Sequence, residues 1–401
     1  MNMLGRRMAV LAALVLIAAA AASPFPRPIF AQEPAPDIDS LVDQIDQQRL
    51  RDHIDAIDEP RNAFGQPEAL QAAADYIQRQ LEALGYPVTL DPVTRFDATF
   101  PNVIGVQEGT VCPERVLIVG AHYDSVLDTP GADDDASGVA GMLEIARALA
   151  DTPLPATVWF TGFTMEENGL VGSYNMAQRE GERGTPIVGM YSLEMIAYTT
   201  PDADFILVLG NEASVRLVDA FRRARDAFVP ELPIVASTVP GNGEAVPDSR
   251  RSDHAPFWDV GYQALLVTDT ANFRNPNYHE PTDTIDTLDL AFATNVTKAM
   301  LATTVDYLTY DGDADGQPDA CIGPLSATAT PTAVAGTPTS AETATPTAGA
   351  SQLPPTGSDA AGDDAGRGFG LWGGVLAGSA AVVALGGAVW LLRRRAGQAQ
   401  A

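Results

Sequence analysis

Between residues 35 and 310 the apolar positions follow two different periods. Helices are predicted where apolar side chains recur every three or four residues, at 68–84, 137–150, 214–228 and 290–308. Strands are predicted where short β-rich apolar runs occur, at 116–120, 157–160, 187–193, 205–209 and 264–267. Because buried strands that alternate with helices form a sheet covered on both faces, the pattern predicts an α/β domain over residues 32–310.

Residues 1–31 have the pattern of a secretion signal peptide. Arg6 and Arg7 precede an uncharged apolar run at 8–22, which is shorter than the ~20 residues that a membrane span needs. Small residues follow this run. The segment predicts export, and a retained N-terminal anchor is the alternative.

Residues 353–401 combine three features in order. The pentapeptide LPPTG at 353–357 precedes an uncharged, proline-free apolar run at 369–392, and three arginines follow directly. The run is long enough to cross a bilayer as a transmembrane helix, and the arginines would hold its end in the cytoplasm. The arrangement resembles the LPxTG cell-wall sorting signal that sortases read. The resemblance implies a sortase as partner and a secreted, cell-surface protein, and a plain membrane anchor is the alternative.

Two segments separate the domain from this end. Residues 325–352 are rich in Thr, Pro and Ala, which is typical of a disordered, extended stalk. Residues 311–324 are an acidic linker that begins with DGDADG, which is similar to the start of a calcium-binding loop. Ile322 stands where such a loop has its twelfth-position glutamate, so both a calcium loop and a plain linker stay open.

Composition excludes several classes of function. The chain of 401 residues has 24 basic and 52 acidic side chains and a net charge of −28, which argues against a nucleic-acid partner because phosphates require a basic surface. Two cysteines exclude a cysteine-ligated zinc or iron–sulfur site. Cys112 and Cys321 are candidates for a disulfide in an oxidising exterior.

Candidate ligands for a metal ion stand where the apolar runs stop. His122 and Asp124 follow the run at 116–120, and GADDDASG at 131–138 precedes a predicted helix. Further along the chain such positions hold Glu166 with Glu167, Glu194 and His279. Imidazole nitrogen with carboxylate oxygen suits zinc, cobalt or manganese. Each piece alone also fits a surface acid, a helix cap or a core histidine.

Five ordered motifs between residues 68 and 310 resemble peptidase family M28, the co-catalytic zinc exopeptidases. They are HYDS at 122–125, GADDDASG, Glu166-Glu167 with GLVGS at 169–173, SDH at 252–254 and NYH at 277–279. The resemblance implies the zinc exopeptidase fold, in which a mixed central β-sheet is flanked by helices on both faces. It also implies two zinc ions per chain and peptide or protein substrates.

The resemblance further implies a role for each matching residue. His122 ligates one zinc and His279 the other, and Asp134 bridges them. Glu167 ligates the metal on the side of either His122 or His279, and Glu194 completes the shell of the second metal. Glu166 is the general base, and Asp124 orients His122. Many family members have Asp at the position of Glu194, which is a departure that concerns metal geometry.

The hypothesis from the sequence is an extracellular di-zinc aminopeptidase. A carboxypeptidase, a glutaminyl cyclase and a non-catalytic surface binding module are the alternatives. SDH at 252–254 contains residue types of a serine hydrolase, but adjacent residues do not form a catalytic triad by themselves and no GxSxG motif is present. The segment is therefore interpreted as part of the site wall. His254 is left open between a substrate contact and a structural role, and His53 is expected to be exposed.

Overall fold

The computed structural model of the protein describes residues 36–312 and 317–322. The predicted signal peptide, stalk, LPxTG-like segment and apolar run at 369–392 lie outside these residues, as does most of the candidate calcium loop. In the described part of the chain, no helix combines the length and the apolar character that crossing a membrane requires.

One eight-stranded mixed sheet forms the centre of the domain, in the order β1-β2-β4-β3-β5-β8-β6-β7. The strands are β1 (Val88–Arg95), β2 (Ala98–Gln107), β3 (Cys112–His122), β4 (Ala156–Phe163), β5 (Ile187–Leu193), β6 (Ile206–Gly210), β7 (Ile234–Thr238) and β8 (Ala264–Thr268). The central strands β4, β3, β5 and β8 are parallel, whereas β2 and β6 run antiparallel to their neighbours β4 and β8. The loops that follow the four parallel strands therefore meet at one edge of the sheet.

Helices cover both faces of this sheet. Those in the described residues are α1 (Ile38–Val42), α2 (Gln47–Asp55), α3 (Pro67–Ala83), α4 (Gly138–Leu149), α5 (Val171–Arg183), α6 (Val215–Phe228), α7 (His254–Asp259), α8 (Leu290–Thr309) and α9 (Asp319–Ile322). Two separate hydrophobic clusters fill the two sides. Strand β3 supplies both, because Leu117 and Val119 pack into one cluster and Val116 and Ile118 into the other.

The sequence pattern predicts the central elements well. Helix α3 has its buried positions at Leu70, Ala73, Ile77 and Leu81, and it ends before Gly85, which has a φ of 86°. The predicted strand at 187–193 coincides with β5. The β1–β2 hairpin, β7, α5 and α7 were not predicted. Strand β1 contains Pro92, and the burial pattern of β7 is intermediate at every position, so neither strand gives a strong apolar signal.

Two smaller expectations have clear outcomes. Cys112, at the start of β3, forms a disulfide with Cys321 in α9, as considered from the sequence. The expectation that His53 is exposed is wrong. Its side chain is only 12% exposed, and its Nδ1 lies 2.7 Å from the hydroxyl of Tyr76.

Candidate metal centre

Five of the residues singled out in the sequence converge at the edge where the parallel strands end. His122 is the last residue of β3, and Glu167 and Glu194 lie in the loops after β4 and β5. Asp134 lies in the turn before α4, and His279 follows β8 by way of a longer loop. Ligand sites in α/β proteins are typically built at such strand ends, because many loops meet there.

These side chains form two groups that share Asp134. One group is His122, Asp134 and Glu194, and the other is Asp134, Glu167 and His279. The Nε2 atom of His122 lies 3.1 Å from Asp134 Oδ1 and 3.5 Å from Glu194 Oε2. The Nε2 atom of His279 lies 3.3 Å from Asp134 Oδ2 and 3.4 Å from Glu167 Oε2. We call them the His122 set and the His279 set.

The geometry answers the question that the sequence left open for Glu167. Its carboxylate lies with His279, on the other side of Asp134 from His122. Glu194 lies with His122 and thus belongs to the His122 set rather than to the shell of the other metal. Each set has one imidazole nitrogen and two carboxylate groups, counting the shared Asp134.

Both sets fit a divalent metal ion. In each set the candidate ligand atoms lie within 4.8 Å of one another. Buried atoms from both sets, including Nε2 of His122, Oδ1 of Asp134 and Nε2 of His279, have no hydrogen-bond partner. Since an unpaired buried polar atom is unfavourable, this concentration of unpaired ligand atoms is what a metal site requires. The nitrogen and oxygen donors match zinc.

The pKa values reflect how closely the unlike charges stand. Burial alone would lower the pKa of His122, but Glu194, Asp124 and Asp134 raise it well above its usual value. Burial would likewise lower the pKa of His279, yet Asp134 and Glu167 raise it to about 10. Burial raises the pKa of Glu167 to about 7, with Asp134 adding to the effect. The pKa values of the two histidines thus reflect the carboxylates around them, and the pKa of Glu167 reflects mainly its burial.

Asp124 acts on the glutamate pair as well as on His122. Its Oδ1 accepts a hydrogen bond from the backbone nitrogen of Glu166 at 2.9 Å, and its Oδ2 accepts one from that of Glu167 at 3.1 Å. The same Oδ1 lies 3.6 Å from Nδ1 of His122, which is closer, at 3.1 Å, to the backbone carbonyl oxygen of Asp124. Asp124 thus fixes the turn that presents both glutamates, a contact that the sequence did not indicate.

Glu166 is buried and belongs to neither set. Burial raises the pKa of its carboxyl group well above the usual range, and the nearby charges of Glu194, Glu167 and Asp253 add to this, whereas His122 opposes it. A carboxyl group with a raised pKa beside the ligand sets is suited to exchange a proton with a bound reactant.

The three consecutive aspartates make different contacts. Asp134 alone enters the ligand sets. Asp133 accepts hydrogen bonds from the Ala197 backbone and the Asn275 side chain. Asp135 accepts from the backbone nitrogen atoms of His122, Gly138 and Met195. All three are buried, so the alternative that these residues are surface acids does not apply to this run.

Sequence reasoning missed several supporting residues. Arg61 is fully buried and donates to the backbone oxygen atoms of Tyr123 and Gly131, so it joins the His122 strand end to the Asp134 turn. The carboxylate of Asp283 accepts from the backbone nitrogen atoms of Asp133 and Asp134. These partners are 62 to 150 positions apart in the chain, so no local sequence signal reveals them.

The SDH segment has a supporting role. The hydroxyl of Ser252 donates to Glu194 Oε2 at 2.6 Å, so it holds a residue of the His122 set. His254 is fully buried, its Nε2 lies 2.7 Å from the Ser249 carbonyl oxygen, and its ring packs edge-on against Trp258. Of the two roles left open for His254, the structure therefore supports the structural one.

A cavity of about 540 Å³ opens beside the His122 set. Glu194 and Tyr278 are among its lining residues, together with Leu207, Leu209, Val235 and Leu266 of strands β6, β7 and β8. Its walls are mainly apolar, and Arg251, Arg274 and Asp248 are among its polar lining residues. The ring of Tyr278 stacks on His279 with the centroids 3.7 Å apart, so one residue borders both the cavity and the His279 set.

Comparison with known sequences supports the resemblance to peptidase family M28. The model of peptidase family M28 matches residues 102–304. The uncharacterized protein YfbL of Escherichia coli strain K12 is 32% identical over 253 residues, which covers 55% of this chain and 75% of that protein. A probable zinc metalloprotease of Pyricularia oryzae is 30% identical over 209 residues, and the match covers 44% of this chain but only 41% of that protein.

Solved structures show the same fold at lower identity. An aminopeptidase from Aneurinibacillus sp. strain AM-1 is similar with a TM-score of 0.56 at 20% identity, covering 67% of this chain and 95% of that chain. A glutaminyl cyclase from Macrostomum lignano gives 0.55 at 17% identity, covering 73% and 97%. The fold alone thus accommodates two chemistries. Together with the match of the family model, the two ligand sets assign this chain to peptidase family M28, as a zinc-dependent exopeptidase.

Proposed function

We propose that the protein is an extracellular aminopeptidase that holds two zinc ions and removes apolar residues from the N-terminus of peptides. The observation that carries the proposal is the pair of ligand sets that share Asp134 next to an apolar cavity. His122, Asp134 and Glu194 would hold one ion, and Asp134, Glu167 and His279 the other. When bound, the ions supply Lewis-acid chemistry at the scissile carbonyl and increase the acidity of water.

Glu166 is the residue that we assign as general base. It is buried and lies outside both sets, so it is not needed as a ligand and can exchange a proton with water at the metal centre. The same group can then deliver this proton to the leaving amine. Asp124 supports the step because its carboxylate fixes the backbone of Glu166 and Glu167.

The cavity supports removal of a terminal residue. Its apolar lining by Leu207, Leu209, Val235 and Leu266 suits an aliphatic or aromatic side chain, whose burial is favourable by ~25 cal/mol per Å². An aminopeptidase is also among the solved structures that have this fold, whereas the carboxypeptidase alternative rests on the two arginines of the cavity, Arg251 and Arg274.

The location outside the cell is part of the proposal. The disulfide between Cys112 and Cys321 supports an oxidising compartment. The signal-like pattern at 1–31 and the LPxTG-like segment are consistent with export and with attachment to the cell surface, through sortase processing or through the apolar run.

The test uses one peptide with an N-terminal leucine, in free and N-acetylated forms, and mass spectrometry of the products. Stepwise N-terminal loss from the free peptide alone, stopped by a chelator, is the expected result. C-terminal loss from both forms would indicate a carboxypeptidase. A peptide with N-terminal glutamine tests the cyclase alternative, which predicts loss of ammonia without cleavage. No reaction of the zinc-loaded protein would favour the binding module.

Glu166→Gln tests the base. We expect kcat to fall by about 10²–10⁴-fold, because proton transfer by a positioned side chain contributes that much. The zinc content should stay at the wild-type value, since Glu166 lies outside both sets. Full activity in this variant would show that the proton goes elsewhere.

A further inference from the structure

Three large apolar side chains form a patch at the active-site edge of the sheet. Phe96 is 83% exposed, Leu127 53% and Phe64 47%. The rings of Phe64 and Phe96 lie 6.1 Å apart between centroids, and the side chain of Leu127 packs against Gly65, where it would collide with any added Cβ. We call Phe64, Phe96 and Leu127 the apolar shelf. A contiguous group of exposed apolar side chains typically marks a binding site for a ligand, a protein or a membrane.

Hydrogen bonds attach the shelf to the loop that leaves the metal centre. Ser125 follows directly after Asp124, and its backbone oxygen accepts from the side chain of Asn62 at 2.8 Å. The hydroxyl of Ser125 accepts from the backbone nitrogen of Arg61 at 3.0 Å. The segment that precedes Phe64 is thus held against Ser125, three positions from His122, and the shelf adjoins the loop that leaves the metal centre.

The β1–β2 hairpin brings Phe96 to the same edge. Arg95 pairs with Ala98 across the turn, and β2 runs antiparallel to β4. Asn102 is level with the end of β4, as the hydrogen bond from the Thr164 backbone to its side chain shows. Phe96 lies six residues further along the hairpin, ~20 Å at ~3.3 Å per residue, so the turn extends outward beyond the end of β4. Two strand spacings, ~10 Å, separate β2 from β3.

Phe96 has a backbone conformation that phenylalanine rarely adopts. Its φ is 53°, in the left-handed region, where Gly, Asn or Asp would be favoured in a two-residue hairpin turn. A phenylalanine in this conformation and almost fully exposed contributes little to the fold. Its presence therefore fits a role at the surface.

The order of the strands defines a direction across the site. The apolar cavity lies against β8, β6 and β7, the ligand sets lie at the ends of β3, β4 and β5, and the shelf lies at the β1–β2 turn. Suppose that the first side chain of a peptide lies in the cavity and its first peptide bond lies at the ligand sets. If the peptide stays extended across the sheet, its following residues then point toward the shelf, on the opposite side of the ligand sets from the cavity.

We propose that the apolar shelf binds the part of the substrate that follows the scissile bond. The preferred substrates are then oligopeptides with apolar residues beyond the second position, rather than dipeptides. This inference rests on the proposed aminopeptidase function and adds a second determinant of specificity to the cavity.

The test compares two amidated pentapeptides that differ only beyond the second residue. Leu-Gly-Phe-Leu-Phe-amide and Leu-Gly-Ser-Asn-Ser-amide have the same first residue and the same scissile bond. We expect the wild-type protein to release leucine from the apolar peptide with a kcat/KM roughly tenfold higher, mainly through a lower KM. The combined variant Phe64→Ser, Phe96→Asn, Leu127→Ser should bring this ratio close to one and leave the polar peptide unaffected.

Val215→Ser is the matched control. Val215 is 49% exposed at the start of α6, so its replacement removes a comparable exposed apolar group elsewhere and should leave the ratio unchanged. Asn is favoured at positive φ, so Phe96→Asn preserves the turn. A single Phe96→Tyr variant keeps the aromatic ring and should retain the preference.

Four other outcomes would contradict the shelf proposal, and they differ in what they imply for the aminopeptidase function. Equal cleavage of both peptides by the wild-type protein, or an unchanged preference in the combined variant, overturns the shelf proposal and leaves the aminopeptidase intact. Cleavage of neither peptide by the zinc-loaded protein overturns both. A wild-type dimer that the combined variant abolishes, with no change in the ratio, would assign the shelf to a second copy of the chain and overturn the proposal.

Discussion

The two ligand sets share Asp134, but they differ in burial and in what holds their side chains. His122 is completely buried, whereas the side chain of His279 is 35% exposed. In the His122 set, Glu194 accepts from the hydroxyl of Ser252, and Nδ1 of His122 is 3.1 Å from the carbonyl oxygen of Asp124. His279, with a φ of 61°, instead stacks on Tyr278. Hydrogen bonds thus hold the ligand side chains of the His122 set directly, whereas ring stacking supports the imidazole of His279.

This difference suggests two unequal metal sites. Hydrogen bonds to ligands fix their orientation before the ion arrives, so we expect the His122 set to bind zinc more tightly. The His279 set is more accessible and borders the cavity through Tyr278, so its ion should exchange first. Four predictions test or sharpen the comparison.

Asp134→Ala should have the largest effect, because both sets lose a ligand. We expect the zinc content to fall from two ions per chain toward none and kcat/KM to fall on the order of 10³-fold or more, since the ions contribute several kcal/mol to the transition state. Elemental analysis and peptide cleavage measure both. The control is Asp219→Asn on the surface of α6. Retention of two tightly bound ions would show that the sets do not share this residue.

Acid should weaken the surroundings of the His122 set through His254. Burial lowers the pKa of His254 from 6.5 to about 4, so the unfolded chain gains a proton below pH 6.5 that the folded chain does not accept. Stability therefore falls as the pH drops from 6.5 to 4, by about 3 kcal/mol for this group.

The measurement for His254 is urea unfolding of the metal-free protein between pH 7 and pH 4. His254→Gln should show a smaller loss of unfolding free energy over this range than the wild-type protein does. Because the other titrating groups are common to both proteins, only the difference between the two slopes is interpreted. Identical slopes would mean that His254 takes up its proton in the folded state as easily as in the unfolded state.

Ser252→Ala should weaken the His122 set alone. Loss of a hydrogen bond that orients a ligand typically lowers metal affinity by about 10–100-fold. Competition titration with a chelator should show this loss for the tighter ion and no change for the weaker one. Ser249→Ala is the matched control, because its hydroxyl donates to the Val246 carbonyl oxygen in the same segment. Equal weakening of both ions would contradict the assignment of Glu194 to one set.

Tyr278→Leu should have the smallest effect and act on the other set. An aromatic pair contributes about 0.5–1.5 kcal/mol, which corresponds to a roughly two- to tenfold loss of affinity for the weaker ion. Tyr278→Phe keeps the ring and should keep most of this affinity while it loses the hydrogen bond from Arg251. If both variants instead weaken binding of the tighter ion, the His279 set has the higher zinc affinity and the His122 set the lower.

Three of the ligands could be found in the sequence because they lie at or just after a strand end, and Asp134 and His279 stand in short motifs. His122, Glu167 and Glu194 follow strongly apolar runs that become β3, β4 and β5, so the local pattern locates them. The roles of Arg61, Ser252 and Asp283 could not be found in this way. Their partners are distant in the chain, as Ser252 and Glu194 are by 58 positions, and only tertiary packing brings them together.

The sequence by itself determined the α/β class, the central strands, the long helices and the identity of the candidate ligands, because strand and helix periods and short motifs are local properties of the chain. Only the tertiary structure decided that Glu194 pairs with His122 and Glu167 with His279, that Asp124 holds the glutamate turn, and that the β1–β2 hairpin places Phe96 beside the site. These arrangements depend on strand order and register, which are set by packing between segments that are far apart in the chain.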